Sequence, residues 1–113
     1  MKTEIELASA TPSSDDSRLK NLESVWRLAT DAFDAAYQCG FQEHVFDPIA
    51  RRIEDAEKHI TITPARTPGG VAVKLRVIMR HERNETEPRH WFGLLQSALA
   101  DLEALKAAED KRD

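Results

Sequence analysis

Three observations predict an all-α fold, a bundle of about four helices behind a flexible N-terminal tail. Apolar residues recur at three- and four-residue steps in long runs near both ends of the chain. Asp47-Pro48 and Thr67-Pro68 each place an N-cap acceptor just before a proline, whose missing N–H costs nothing at the first helical position. A chain of 113 residues with 41% hydrophobic content suits one small core. The expected layout is a tail over 1–16 and one helical domain over 17–110.

The tail assignment rests on "ASATPSSDDS", residues 8–17, which are small, polar and broken by proline. From there Leu19, Leu22, Trp26, Ala29, Phe33 and Ala36 mark one helical face, and Val25, Leu28 and Ala32 are expected to widen it. Residues 13–17 offer N-caps, and Gly40 can take the left-handed conformation that ends the helix. A second helix is expected to start at Asp47-Pro48, with Ile49, Ile53, Ala56 and Ile60 inward. Arg51 and Asp55, and Glu54 and Lys58, lie four apart on its solvated face. The connecting "FQEHVF", residues 41–46, suits a short helix or an ordered corner. The last helix is expected from "NETEP", capped by Asn84 or Thr86 with Pro88 in the first turn. Its inward stripe would be Trp91, Leu95, Ala98, Leu102, Leu105 and Ala108.

Between these lies "ITITPARTPGGVAVKLRV", residues 60–77, which supports two readings. Val71, Val73, Leu75 and Val77 alternate with smaller or charged residues, so a β-hairpin with Ile60–Thr63, and an α+β fold, is the alternative. A lone two-stranded hairpin is marginally stable, however, and Thr67-Pro68 repeats the cap logic of Asp47-Pro48. The preferred reading is an extended "ITIT" arm, a Thr67 cap and a helix over 68–82. Gly70, lacking Cβ, would let the start of that helix approach a neighbour closely.

Pro64, Ala65, Thr67, Gly70, Val71, Ala72, Lys74 and Arg76, followed by Ser97, Asp101, Leu102, Glu103 and Leu105, carry a resemblance. Over roughly residues 45–105 the chain resembles a family of short, uncharacterised alphaproteobacterial proteins, often prophage- or island-associated. That family has a "Pa-T-laG-la-K-r" block and a closing "S-l-aDLe-L" helix. Alanine-rich residues after the family's glycine imply a helix there, although Pro68 and Gly69 stand where the family has leucine and alanine. The resemblance implies no activity and no catalytic residue.

Composition excludes several functional classes. Glu4 and Glu6 interrupt the apolar run that a secretory signal needs, and no stretch approaches the about 20 apolar residues of a membrane span. With a single cysteine, Cys39, the expected setting is a reducing cytoplasm. Cys39 sits at a helix C-terminus, where the dipole disfavours a thiolate, so it is expected to pack beside Tyr37 or Phe41. A di-iron bundle needs two Glu-x-x-His motifs, and only Glu87-Pro88-Arg89-His90 is present. No nucleophile elbow, P-loop or dinucleotide fingerprint occurs. The expectation is a non-enzyme with no metal and no cofactor.

Charge is distributed unevenly. Residues 1–63 hold 7 basic against 12 acidic side chains, residues 64–90 hold 6 against 3, and residues 91–113 hold 3 against 5. The basic candidates for binding are Arg66, Lys74, Arg76, Arg80, Arg83 and Arg89, and Arg76, Arg80 and Arg83 share one helical face. They can meet phosphates or pair with the acidic first and second helices. The net charge of −4 favours pairing. Trp26, Phe33, Trp91 and Phe92 are expected in the core. The leading functional expectation is a protein-interaction or regulatory module, prophage- or mobile-element-encoded and acting as a homodimer. A nucleic-acid-binding accessory protein using residues 66–89 is the alternative.

Overall fold

The computed structural model describes residues 16–40 and 43–111. Four helices follow one another: α1 (Ser17–Gln38), α2 (Glu43–Ile62), α3 (Pro68–Arg83) and α4 (Phe92–Lys111), with a 3-10 turn, η1 (Pro88–His90), ahead of the last. The described residues contain no strand, so the all-α expectation holds and the alternative hairpin over 60–77 does not form. α1 packs mainly on α2 and α3, while α4 packs on α3 and α2. The core of Leu19, Trp26, Ala56, Ile60, Val71, Val73, Val77, Leu94 and Ala98 draws on all four.

α1 ends as its sequence suggests. Cys39 N–H donates to the Ala35 carbonyl at 3.1 Å, and Gly40 follows with φ of 108°. Its apolar stripe is narrower than expected, since Val25 and Leu28 lie exposed. Cys39 is exposed rather than packed against Tyr37. The expected tail at 1–15 falls outside the described residues. Asp16, assigned to that tail, instead belongs to the domain and is only 5% exposed.

α2 departs from expectation at both ends. It begins at Glu43, one turn before Asp47-Pro48, so Pro48 lies inside the helix. Proline there removes one backbone hydrogen bond. Phe46, buried with its ring 4.7 Å from Phe33 and 6.4 Å from Tyr37, anchors that extra turn in compensation. At the other end Ile60, Thr61 and Ile62 continue the helix instead of forming an extended arm. Ile60 is fully buried one turn after Ala56. The Thr61 and Thr63 hydroxyls donate to the Glu57 and His59 carbonyls at 2.7 and 2.6 Å, so both hydroxyls are satisfied within the last turn and just past it.

α3 starts where its cap predicts. The Thr67 hydroxyl accepts from Gly70 N–H at 3.2 Å, with Pro68 in the first turn. A Cβ on Gly70 would overlap the Asp16 carboxylate and press on Ala65, so the close approach expected of Gly70 is present. After α3, Glu85 turns the chain at φ of 57°, and Trp91 Nε1 donates to the Thr86 carbonyl at 3.2 Å. Pro88 therefore opens η1 rather than α4.

Gly70 and Gly93, both in helices, separate close packing from open space. Gly70→Ala should destabilise the domain by about 1–3 kcal/mol in urea unfolding, because the added methyl must displace Asp16. Gly93→Ala, whose Cβ meets nothing within 4 Å, should be neutral or stabilising by up to about 1 kcal/mol.

Candidate functional site

The six basic candidates do not converge on one surface. Lys74 lies on the inward side of α3, 0% exposed, and its Nζ donates to Asp101 Oδ2 at 2.5 Å and Ser97 Oγ at 2.7 Å on α4. Ser97 in turn donates to the Thr61 carbonyl of α2 at 2.7 Å. One buried cation thereby ties three helices. Its burial puts phosphate out of its reach.

Arg76 and Arg80 point toward α1. Arg76 Nε and a terminal nitrogen donate to the two oxygens of Glu23 at 2.5 and 2.9 Å, a bidentate pair that Arg27 extends at 3.3 Å. Arg80 donates to Asp34 at 3.2 Å. Arg89 pairs with Glu87 at 2.8 Å on the exposed η1 turn. Arg66 is placed by its backbone, whose N–H donates to Asp16, while its side chain and that of Arg83 are exposed.

Asp16 is a functional part of the fold that residue spacing does not reveal. Its carboxylate accepts from Arg66 N–H at 2.8 Å, Thr67 N–H at 3.0 Å and Thr67 Oγ1 at 2.6 Å. The Thr67 hydroxyl therefore donates to Asp16 while accepting from Gly70. Negative charge at this place also complements the positive end of the α3 dipole.

A cleft of about 430 Å³ opens between α2, α3, η1 and the start of α4, lined by Glu57, His81, His90 and Trp91 among others. Glu57 accepts from Trp26 Nε1 at 2.9 Å and from His81 Nε2 at 2.7 Å. The Thr61 hydroxyl in the lining donates to the Glu57 carbonyl. Through Trp26 and His81, Glu57 forms a polar joint between α1, α2 and α3. Among the described residues no three His, Cys, Asp or Glu side chains are placed to hold a metal ion, and no helix is long and apolar enough to cross a membrane.

The remaining surface of note is apolar. Leu94, Ala98 and Asp101 are the buried residues of α4, with Leu105 half-buried, so the helix is rotated from its expected stripe. The physical cause is the Lys74 ion pair, which turns Ser97 and Asp101 inward. Leu95 and Leu102 are consequently outside with Leu99 and Phe92, the last of these expected in the core. Leu75 and Met79 of α3 are exposed as well, and all six side chains lie between 39 and 58% exposed. Residues 91–100 contain no charged side chain. A second, smaller apolar groove of about 300 Å³ lies between α1 and α2, lined by Val25, Leu28, Ala29, Ala32, Ile49 and Arg52.

No family model, curated protein or solved structure matches the chain.

Two predictions follow from the ionic contacts. Lys74→Met leaves Asp101 buried without its cation and should cost about 3–5 kcal/mol in chemical unfolding, whereas Lys74→Met with Asp101→Leu should recover most of that loss. The hydrogen bond from Arg76, reinforced by its charge and by Arg27, holds the Glu23 carboxyl below its ordinary 4.5 against the opposing effect of burial. A lowered carboxyl stabilises the fold above the unfolded value and loses that contribution as pH falls through the folded one. Glu23→Gln should thus be less stable than wild type at pH 7 by no more than about 1 kcal/mol, given solvent at Arg76, and the gap should close as pH falls below the ordinary 4.5 and through the lowered folded value.

Proposed function

We propose that the chain is a non-enzymatic protein-interaction module whose working surface is the outer face of α3 and α4. The observation that carries this reading is the uncharged run 91–100 beside Leu75 and Met79, which leaves large apolar side chains on two adjoining helices facing solvent. Isolated exposed leucines are ordinary, but a contiguous apolar surface on paired helices marks a place where another macromolecule docks. The pairing of Arg76 and Arg80 with α1, and the burial of Lys74, draw three of the basic candidates into the fold's own interior and joints. We extend the proposal to a regulatory role in a mobile-element setting, on the resemblance carried by residues 64–76 and 97–105.

The test is affinity capture from native lysate with the wild type and with Leu95→Glu/Leu99→Glu, each with and without nuclease. Proteins held by the wild type should survive nuclease and be lost in the variant, while far-UV circular dichroism of the two stays the same. Retention that disappears with nuclease and ignores the variant would favour the nucleic-acid alternative.

A further inference from the structure

We infer that the partner on this face is a second copy of the chain, docked about a two-fold axis near Leu99 with the two α4 helices antiparallel. The inference rests on the interaction reading and specifies its occupant.

Both halves of the patch face the same way. On α3, His81 marks the side toward α2 through its bond to Glu57, and Leu75 and Met79 lie well over 90° round the helix from it. On α4, Ser97 marks the side toward α2 through its bond to the Thr61 carbonyl, and Leu95, Leu99 and Leu102 lie on the far side. The α3–α4 hairpin is antiparallel, and the register joining Lys74 to Ser97 and Asp101 sets Leu75 level with Leu99 and Met79 level with Leu95. Leu75, Met79, Phe92, Leu95, Leu99 and Leu102 therefore form one outer layer, turned away from α2.

Area and charge select a second copy. At the observed exposures these six side chains present roughly 500 Å² of apolar surface, the upper end of what a lone monomer carries. Two such faces in contact bury about 1,000 Å² before any rim is counted, close to the about 1,200–2,000 Å² of stable interfaces. A two-fold contact requires a surface that fits itself. The run 91–100 brings no like charges together, and Arg89 and Glu109 stand ten residues before and after Leu99. An antiparallel crossing at Leu99 thus brings the η1 turn of one copy, with Arg89, toward the Glu109 end of α4 in the other. The paired layers make a four-helix bundle from α3 and α4 of both copies.

Sedimentation equilibrium of the full chain over a wide concentration range should give twice the monomer mass of 12.8 kDa. Leu95→Glu/Leu99→Glu, and separately Met79→Glu, should raise the dimer dissociation constant, the double variant by about a hundredfold or more, with helicity unchanged. In a Cys39→Ser background, which removes the exposed native thiol, Leu99→Cys should form an intermolecular disulfide on mild oxidation, because a residue at the axis meets its own copy. A wild type monomeric at every concentration overturns the inference. So does a dimer indifferent to these glutamates, or one lacking the Leu99→Cys disulfide. The interaction reading fails on a different result, capture from lysate that Leu95→Glu/Leu99→Glu leaves intact.

Discussion

The ammonium of Lys74 governs the arrangement of this domain. A fully buried cation must find acceptors within the protein, and both of its acceptors stand on α4. Because Ser97 and Asp101 are one helical turn apart, satisfying Lys74 fixes the rotation of α4 about its axis and its translation along α3 together. Ser97 passes the constraint to the Thr61 carbonyl, so α2 is held in the same frame. The leucines that α4 leaves outside are outside for this reason. Had hydrophobic burial alone set its rotation, Leu95 and Leu102 would have turned inward and Ser97 and Asp101 would have turned toward water.

Further polar contacts join α1 to the remaining helices. Glu23 and Asp34, about three turns apart on one side of α1, receive Arg76 and Arg80 of α3, while Glu57 of α2 collects Trp26 and His81. These links connect elements whose apolar contact is modest, as in any domain of this size. Exposed pairs contribute little stability each, but they fix which faces meet. The acidic first half of the chain and its basic middle are thus partly accounted for by contacts within the fold.

Much of the architecture was legible in the sequence. The Thr67-Pro68 cap, the close approach at Gly70 and the helical spacing of Leu19, Trp26 and Ala29 each report local backbone chemistry, which depends on few neighbours. What was not legible depends on distant partners. Pro48 reads as a helix start unless Phe46 is known to pack on Phe33, and "ITIT" reads as extended from its β-branched residues although Ile60 already stands on the inward stripe of α2. Lys74 counted among the basic binding candidates and Asp101 was assigned no contact, yet both sit among apolar residues at helical spacing, Lys74 between Val71 and Ile78 and Asp101 between Leu94 and Leu105. Opposite charges on the inward stripes of two helices are the signal that could have found the pair.

The Asp16 contact has a consequence for the order in which the chain folds. It joins groups 50 and 51 residues apart, whereas α1 with α2 and α3 with α4 meet across short connections. Closing a long loop costs chain entropy before the contact returns anything, so nearby hairpins form ahead of distant closures. Asp16 is then a late latch, engaging after the two helical hairpins have met. A late contact of this kind leaves the rate of folding largely unchanged and slows the rate of opening, so the carboxylate acts chiefly on how long the folded state lasts.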